Sequence, residues 1–188
     1  MYDIQYDFVS CFFMIILMII FLLRRSCPSR SNSCYFFIII LNFITAASNI
    51  VSTYLISYPN ANNLFWMYAS SALFLFSYNT TAVYFFLYLE TVNPLHVVRQ
   101  TPRHLYTIAY TIIGVEAVAI FSSPWTKLFF YFDENLTYLH GNLFTFLYIP
   151  SIIILAFAVS VLFRQRLEFN NYQFGMILLC VGINAAAI

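Results

Sequence analysis

Long runs of apolar residues, separated by short polar connections, are the feature that most constrains the fold of this chain. Residues 8–23 contain no charged side chain, and similar runs follow at residues 35–58 and 64–89. A helix needs about 20 predominantly apolar residues to cross the hydrocarbon core of a bilayer. The 188 residues are 62% hydrophobic and only 8% charged, which excludes an ordinary soluble domain. The sequence therefore predicts an integral membrane protein.

Six such runs predict an all-α membrane helical bundle. The later spans are expected at residues 105–121, 143–163 and 172–188, with the fifth bent near Pro150. The sixth run is still apolar where the sequence stops, and one further span would return the chain to the side of the bilayer that carries the arginines. We therefore expect seven spans in the full protein. Residues 1–188 would be its N-terminal membrane domain, followed by a cytoplasmic output domain.

The basic residues predict the orientation of this bundle. Seven arginines fall in alternate connections: Arg24, Arg25, Arg30, Arg99, Arg103, Arg164 and Arg166. The remaining connections contain only Lys127. Cytoplasmic loops of membrane proteins are enriched in Lys and Arg. We therefore expect a multi-pass protein of the plasma membrane with its N-terminus outside and the C-terminus of the full protein in the cytoplasm.

Polar residues inside the apolar runs are candidates for a ligand site. Asn42, Thr45, Asn49 and Ser52 recur at three- and four-residue spacing, so they share one helix face. That face should point into the bundle or a wet cavity rather than at lipid. Glu116 is the only acidic residue inside a predicted span. An ionisable residue at membrane depth is a functional hypothesis, and an interhelix hydrogen bond is its alternative.

The segment Ser122–Tyr148 contains too many polar residues to cross a bilayer, so it is expected to lie on the outer membrane surface. Its first part predicts an amphipathic aromatic turn made of Trp125, Leu128, Phe129 and Phe132, followed by an acidic turn. An outside cue would act at this segment and at a cavity lined by the polar side chains of the spans. The candidate sensing residues are Glu116, Asn42, Asn49, Tyr131, Asp133, Tyr138, His140 and Gly141.

Catalytic signatures are absent from the sequence. It contains no glycine-rich phosphate loop and no HExxH, GxSxG or CxxC motif, and the acidic residues and histidines match no metal-ligand spacing. The net charge of +1 gives no indication of a nucleic-acid partner. We therefore predict no catalytic residue, metal site or cofactor within residues 1–188.

Two motifs resemble a known group of proteins. The pattern PWTxxFFYFDxNxxYxxG at residues 124–141 resembles a motif of bacterial multi-spanning sensor regions that precede GGDEF-type diguanylate cyclase domains. The basic loop RRxxPxRxN at residues 24–32 is similar to the loop between the first two helices of that group. Related seven-span regions precede some sensor histidine kinases.

The resemblance implies a signal-input module that binds a small extracellular or intramembrane ligand. In that family the cytoplasmic domain works as a dimer and joins two GTP molecules into cyclic di-GMP. A homodimer is therefore expected, and Mg²⁺ and GTP would belong only to the domain beyond residue 188.

Three alternatives remain open at this point. A sensor histidine kinase would share the same input region. A stand-alone seven-helix receptor fits the outside N-terminus equally well, although Asn93-Pro94 lacks a following tyrosine and Glu90 is not followed by arginine. A small-molecule transporter ranks last, because it would predict repeated halves with broken helices, and no repeat is visible.

Overall fold

The computed structural model describes residues 4–23, 30–92 and 103–164 of the chain. Helices dominate: α1 (Ile4–Leu23), α2 (Arg30–Ser57), α3 (Leu64–Val92), α4 (Arg103–Phe121), the single-turn α5 (Ser123–Thr126) and α6 (Ile149–Arg164). Short 3-10 helices, Ala61–Asn63 and Phe144–Tyr148, precede α3 and α6. Two antiparallel strands, β1 (Phe130–Phe132) and β2 (Tyr138–His140), lie between α5 and α6.

Three helical segments of the described chain are long and apolar enough to cross a membrane: Gln5–Leu23, Ser31–Ser57 and Ala61–Thr91. They correspond to the first three predicted spans. The structure therefore confirms three helices whose length and composition allow them to cross a membrane. Tyr106–Phe121 and Phe144–Ile154 are apolar but shorter. The predicted sixth span at residues 172–188 lies outside the described residues.

Helices α1 and α2 run antiparallel. The ring of Phe21, near the end of α1, stacks on Phe36, near the start of α2, with 5.0 Å between centroids. At the other end of the pair, Asn49 donates a side-chain hydrogen bond of 2.8 Å to Asp7. The two contacts therefore fix the register of α1 on α2.

Hydroxyl groups join α2 to α3, which also run antiparallel. The Thr45 hydroxyl donates to the Ser77 hydroxyl over 2.9 Å, and the hydroxyls of Ser52 and Ser71 lie 2.9 Å apart. Interhelical hydrogen bonds of this kind hold helices together where apolar burial provides little specificity. The polar face predicted for α2 therefore does point into the bundle, at Thr45 and Ser52.

Helix α3 is the centre of the described bundle, because α2, α4 and α6 all contact it. On the side of α4, Phe76 contacts Phe121 with ring centroids 5.8 Å apart, and Val83 lies in one buried cluster with Ala109. Helix α4 therefore runs antiparallel to α3.

Helix α6 runs parallel to α3. Ser151, in the first turn of α6, donates a hydrogen bond of 2.7 Å to the side-chain oxygen of Asn79. Further along both helices, Val159 packs against the buried cluster that contains Phe86 and Leu89. Helices α1, α2, α3, α4 and α6 thus alternate in direction along the chain.

Two predictions for the region after α4 are wrong in detail. The chain is not purely helical there, because β1 and β2 form a hairpin. The run at residues 143–163 is also not one helix bent at Pro150. A 3-10 helix ends at Tyr148 and α6 begins at Ile149, which places Pro150 in the first turn. Proline is tolerated in a first turn, where the missing N–H would have no partner within the helix.

The Asn79–Ser151 hydrogen bond predicts a measurable coupling between α3 and α6. Both side chains are fully buried, so Ser151→Ala leaves the Asn79 oxygen without its donor. We expect the free energy of unfolding in mixed micelles to fall by about 1 kcal/mol. A double-mutant cycle with Asn79→Ala should give a coupling energy of the same order. Ser160→Ala is the control, because this exposed hydroxyl bonds only the Ala156 carbonyl of its own helix. Equal effects of the two serine substitutions would contradict the assignment.

Candidate functional site

The β1–β2 hairpin is built from strand-forming aromatic residues around a polar turn. Phe130 pairs with His140, Tyr131 with Leu139, and Phe132 with Tyr138 in the antiparallel register. Along β1 the side chains alternate, as a strand requires: Phe130 and Phe132 are buried, whereas Tyr131 is half-exposed. The structure therefore places Phe132 in a strand, whereas the sequence predicts it in an aromatic turn with Trp125, Leu128 and Phe129.

Asp133 organises the turn of the hairpin. Its side-chain oxygen accepts hydrogen bonds from the backbone N–H groups of Asn135 (3.0 Å) and Thr137 (2.8 Å). The N–H of Leu136 donates to the Asp133 carbonyl over 3.0 Å, and Leu136 has a positive φ of 60°. Residues 134–136 thus form a three-residue loop that ends in the left-handed Leu136, and such loops are a common hairpin connection. Asp133 therefore has a structural role here, and its carboxylate is engaged by the backbone.

The hairpin is fixed to the helices by its aromatic face. Phe130 is fully buried and lies in one cluster with Met67, Leu75 and Ile120 of α3 and α4. The ring of Tyr68 meets Phe132 edge-on at 4.8 Å. The Tyr68 hydroxyl also accepts a hydrogen bond of 3.1 Å from the backbone N–H of Phe132. Because apolar and polar contacts coincide at this point, the hairpin has a defined position on α3.

Gly141 directly follows β2, and its backbone lies in close contact with the backbone of the segment that precedes β1. Its N–H donates to the Phe129 carbonyl over 2.8 Å, and the N–H of Leu143 donates to the Leu128 carbonyl over 2.9 Å. A Cβ atom at residue 141 would collide with the backbone carbonyl groups of Lys127 and Leu128. Only glycine fits this close approach of two backbone segments.

A cleft of about 620 Å³ lies between the hairpin and the adjoining ends of α2 and α3. This volume is in the range of sites for small molecules. One wall carries hydroxyl and amide groups of α2 and α3, from Asn49, Ser52, Thr53, Ser57 and Ser71. The aromatic part of the lining, called the aromatic wall below, is formed by Phe74 of α3 together with Tyr138, His140, Phe144 and Tyr148.

The aromatic wall is a chain of ring contacts rather than a set of isolated side chains. The imidazole of His140 stacks on Phe144 with 3.8 Å between centroids. Tyr138 meets His140 edge-on at 5.4 Å, and Tyr148 meets Phe144 edge-on at 5.6 Å. Tyr148 in turn contacts Tyr78 of α3 at 6.1 Å. The wall therefore connects the hairpin, the start of α6 and the middle of α3.

The described residues that line the cleft include no aspartate, glutamate, lysine or arginine. Burying a charged ligand without an opposite charge would be costly in such a site. The cleft offers hydroxyl and amide groups for hydrogen bonding on one side and flat rings for stacking on the other. Its chemistry therefore suits an uncharged ligand with an apolar or planar part and a polar edge.

The structure brings three of the predicted site residues together. Asn49, Tyr138 and His140 line the cleft, although Asn49 also donates its amide hydrogen bond to Asp7 of α1. Asn42 does not share this cavity, because its side chain bonds the Ile38 carbonyl of its own helix over 2.8 Å. Asn42 and Asn49 are two turns apart, and only the second reaches the level of the hairpin.

The other predicted residues lie apart from the cleft. Tyr131 is on the outer face of β1, with the Lys127 ammonium 5.6 Å from its ring centroid. Gly141 and Asp133 shape the hairpin. Glu116 is buried on α4 and is not among the residues that line the cleft. Of the three residues expected to line one cavity, Asn42, Asn49 and Glu116, only Asn49 lines this cleft.

Sequence reasoning missed most of the other residues that line the cleft, among them Thr53, Ser71, Phe144 and Tyr148. Ser71 belongs to α3, and only the antiparallel register of α2 and α3 places it beside Ser52. Phe144 and Tyr148 belong to a 3-10 helix that the sequence assigned to a membrane span. A period of two in Phe130 and Phe132 was the one available signal for the hairpin.

No family model matches this chain, and neither a curated protein nor a solved structure shows a significant similarity to it.

The close approach at Gly141 predicts a large difference between two glycine-to-alanine substitutions. Gly141→Ala should displace the hairpin, because its methyl group would overlap backbone atoms that cannot move independently. Hydrogen exchange of the amides in residues 128–144 should become faster. Gly114→Ala is the matched control, since a Cβ there has nothing within 4 Å. In helix α4 that change should be neutral or stabilise by up to about 1 kcal/mol. Unchanged exchange in the hairpin of Gly141→Ala would contradict this account.

Proposed function

We propose that this chain is the membrane-embedded signal-input module of a bacterial signalling protein, and that its cleft binds a small uncharged ligand. The observation that carries the proposal is the cleft itself. It lies at the hairpin end of an apolar bundle, is large enough for a small molecule, and joins hydroxyl and amide groups to an aromatic wall. Such a site fits recognition of a ligand, because its described lining combines hydrogen-bonding side chains with rings for stacking.

The position of the cleft suggests how occupancy would affect the helices. Asn49 connects the cleft to α1 through its hydrogen bond to Asp7. Tyr148 connects it to α6, which begins at the next residue. A ligand can shift an equilibrium only by its different affinities for the two states. A ligand that fits one spacing of α2, α3 and the hairpin better than another would therefore change how α1 and α6 pack.

For the output we propose a cytoplasmic diguanylate cyclase encoded beyond residue 188, acting as a homodimer. The support is the resemblance of residues 124–141 and 24–32 to sensor regions that precede such domains. Mg²⁺ and GTP would be bound by that output domain and not by the present residues. A histidine kinase output would use the same input mechanism.

Filling the cleft should change the output without unfolding the protein. Thr53 is half-buried in the cleft wall, and Thr53→Trp would occupy part of the ligand volume. Val51 lies two residues earlier on the same helix and is 48% exposed, so Val51→Trp is the matched control. In cells that produce the full-length protein, Thr53→Trp should change the cyclic di-GMP concentration several-fold, whereas Val51→Trp should leave it near the wild-type value.

Two outcomes would contradict parts of this proposal. Equal cyclic di-GMP levels in both variants, at equal protein abundance, would exclude a sensing role for the cleft. A full-length wild-type protein that makes no cyclic di-GMP from GTP would exclude the cyclase. In that case autophosphorylation from ATP would identify a kinase output, and its absence would favour a stand-alone receptor.

We also propose that the hairpin lies outside the plasma membrane and the arginine-rich connections lie in the cytoplasm. Asn135 is exposed at the tip of the hairpin. In a variant without native cysteines, Asn135→Cys should react with a membrane-impermeant maleimide in intact cells. Ser29→Cys, in the first arginine-rich connection, should react only after the cells are permeabilised. The reverse pattern would contradict the proposed orientation.

A further inference from the structure

The interface between α3 and α4 contains a polar position within an apolar stripe. On α3 the stripe consists of Phe76, Thr80, Val83 and Leu87, which are spaced three or four residues apart and share one face. Phe76 contacts Phe121 of α4, while Val83 and Leu87 pack in one cluster with Ala109. Thr80 therefore lies between two levels at which α3 touches α4.

Helix α4 presents a matching stripe with a carboxyl group at the same level. Ala109, Ile113, Glu116 and Ile120 are spaced three or four residues apart, and Ile113 packs against the Val83 cluster. Ile120 lies in the other buried cluster, together with Leu75 of α3. Since the helices are antiparallel, Glu116 is placed between the same two contacts that bracket Thr80.

Both polar side chains are buried and lack a partner among the described residues. Glu116 is 7% exposed and Thr80 is 3% exposed. Neither carboxylate oxygen of Glu116 has a hydrogen-bond partner there, and neither does the Thr80 hydroxyl. Other hydroxyls of α3 bond the carbonyl four residues earlier, as those of Ser70, Ser77 and Thr81 do. The Thr80 hydroxyl differs from these three, and Thr80 lies between the same two interhelix contacts as Glu116.

We propose that Glu116 and Thr80 form a binding site for one monovalent cation, a proton or a sodium ion, between α3 and α4. An ionised carboxylate without a compensating charge is costly in an apolar interface. A proton on Glu116 could be donated to the Thr80 hydroxyl, and a sodium ion could be bound by the carboxylate and hydroxyl oxygens together. Either cation would hold the two helices in contact, and its loss would weaken that contact. This site does not depend on the proposed function of the cleft.

The described titratable groups around Glu116 include no basic side chain. Among the described side chains of α3, α4 and α5, and of the residues that pack on the clusters containing Ala109 and Ile120, the other titratable groups are Tyr68, Tyr78, Tyr84, Tyr88, Glu90, Tyr106, Tyr110, Cys34, Tyr138 and Tyr148. None of these is basic, and none belongs to the two stripes that contain Thr80 and Glu116. Within these elements, the described side chains therefore provide no internal cation for Glu116.

Carbodiimide labelling of the full-length protein in liposomes tests this site. Dicyclohexylcarbodiimide enters lipid and reacts with a protonated carboxyl group in an apolar environment. The adduct at Glu116 would be quantified by mass spectrometry as a function of pH, and with sodium chloride replaced by choline chloride. Glu134, exposed on the hairpin, is the internal control for a solvated carboxylate. Thr80→Val removes the proposed partner hydroxyl, and Thr111→Val is the matched control on the exposed side of α4.

The two cations give different results. For a sodium site, labelling of Glu116 at constant pH should slow when sodium replaces choline, and Thr80→Val but not Thr111→Val should abolish this protection. For a proton site, the rate of Glu116 labelling should be independent of sodium. It should fall about tenfold for each pH unit above the midpoint of the labelling curve, and Thr80→Val should move that midpoint. Labelling of Glu116 that is independent of both pH and sodium, or absent throughout, would overturn the proposal.

Discussion

The structure depends on the need to pair polar groups that lie between apolar helices. Helix α3 carries several such groups on different faces, and α2 and α6 supply partners for two of these faces. Thr45 and Ser52 of α2 meet Ser77 and Ser71, and Ser151 of α6 meets Asn79. In an apolar environment an unpaired polar group is expensive, so these few bonds fix the register of helices whose apolar surfaces would allow many alternatives.

The hairpin is the second element that relies on α3. Its buried aromatic face covers the N-terminal half of that helix, and the Tyr68 hydroxyl accepts a hydrogen bond from the strand backbone. The outer part of the hairpin and the following 3-10 helix then provide the aromatic wall of the cleft. The hairpin therefore has two roles, because Phe130 and Phe132 fix it on α3 while Tyr138 and His140 line the candidate ligand site.

Particular residues show where sequence reasoning worked and where it failed. The spacing of Thr45 and Ser52 correctly predicted an inward polar face on α2, because helical periodicity is a local property. The aromatic turn expected for Trp125, Leu128, Phe129 and Phe132 was wrong at Phe132, which lies in β1, because short aromatic segments also fit a strand. Of the residues expected to line one cavity, Asn49 lines the cleft whereas Asn42 and Glu116 do not, since sequence spacing along one helix carries no information about the level of another.

The sequence by itself determined that the chain forms apolar helices, where most of them begin and end, and which residues in them are polar. These properties follow from composition, from the reach of a helix across a bilayer, and from local turn chemistry. Only the tertiary structure decided which polar groups meet. Ser71 joins the cleft, Asn79 binds Ser151, and Thr80 lies at the level of Glu116 because helix direction and register place them there. Register is set by the combined packing of many side chains, which no single segment of sequence contains.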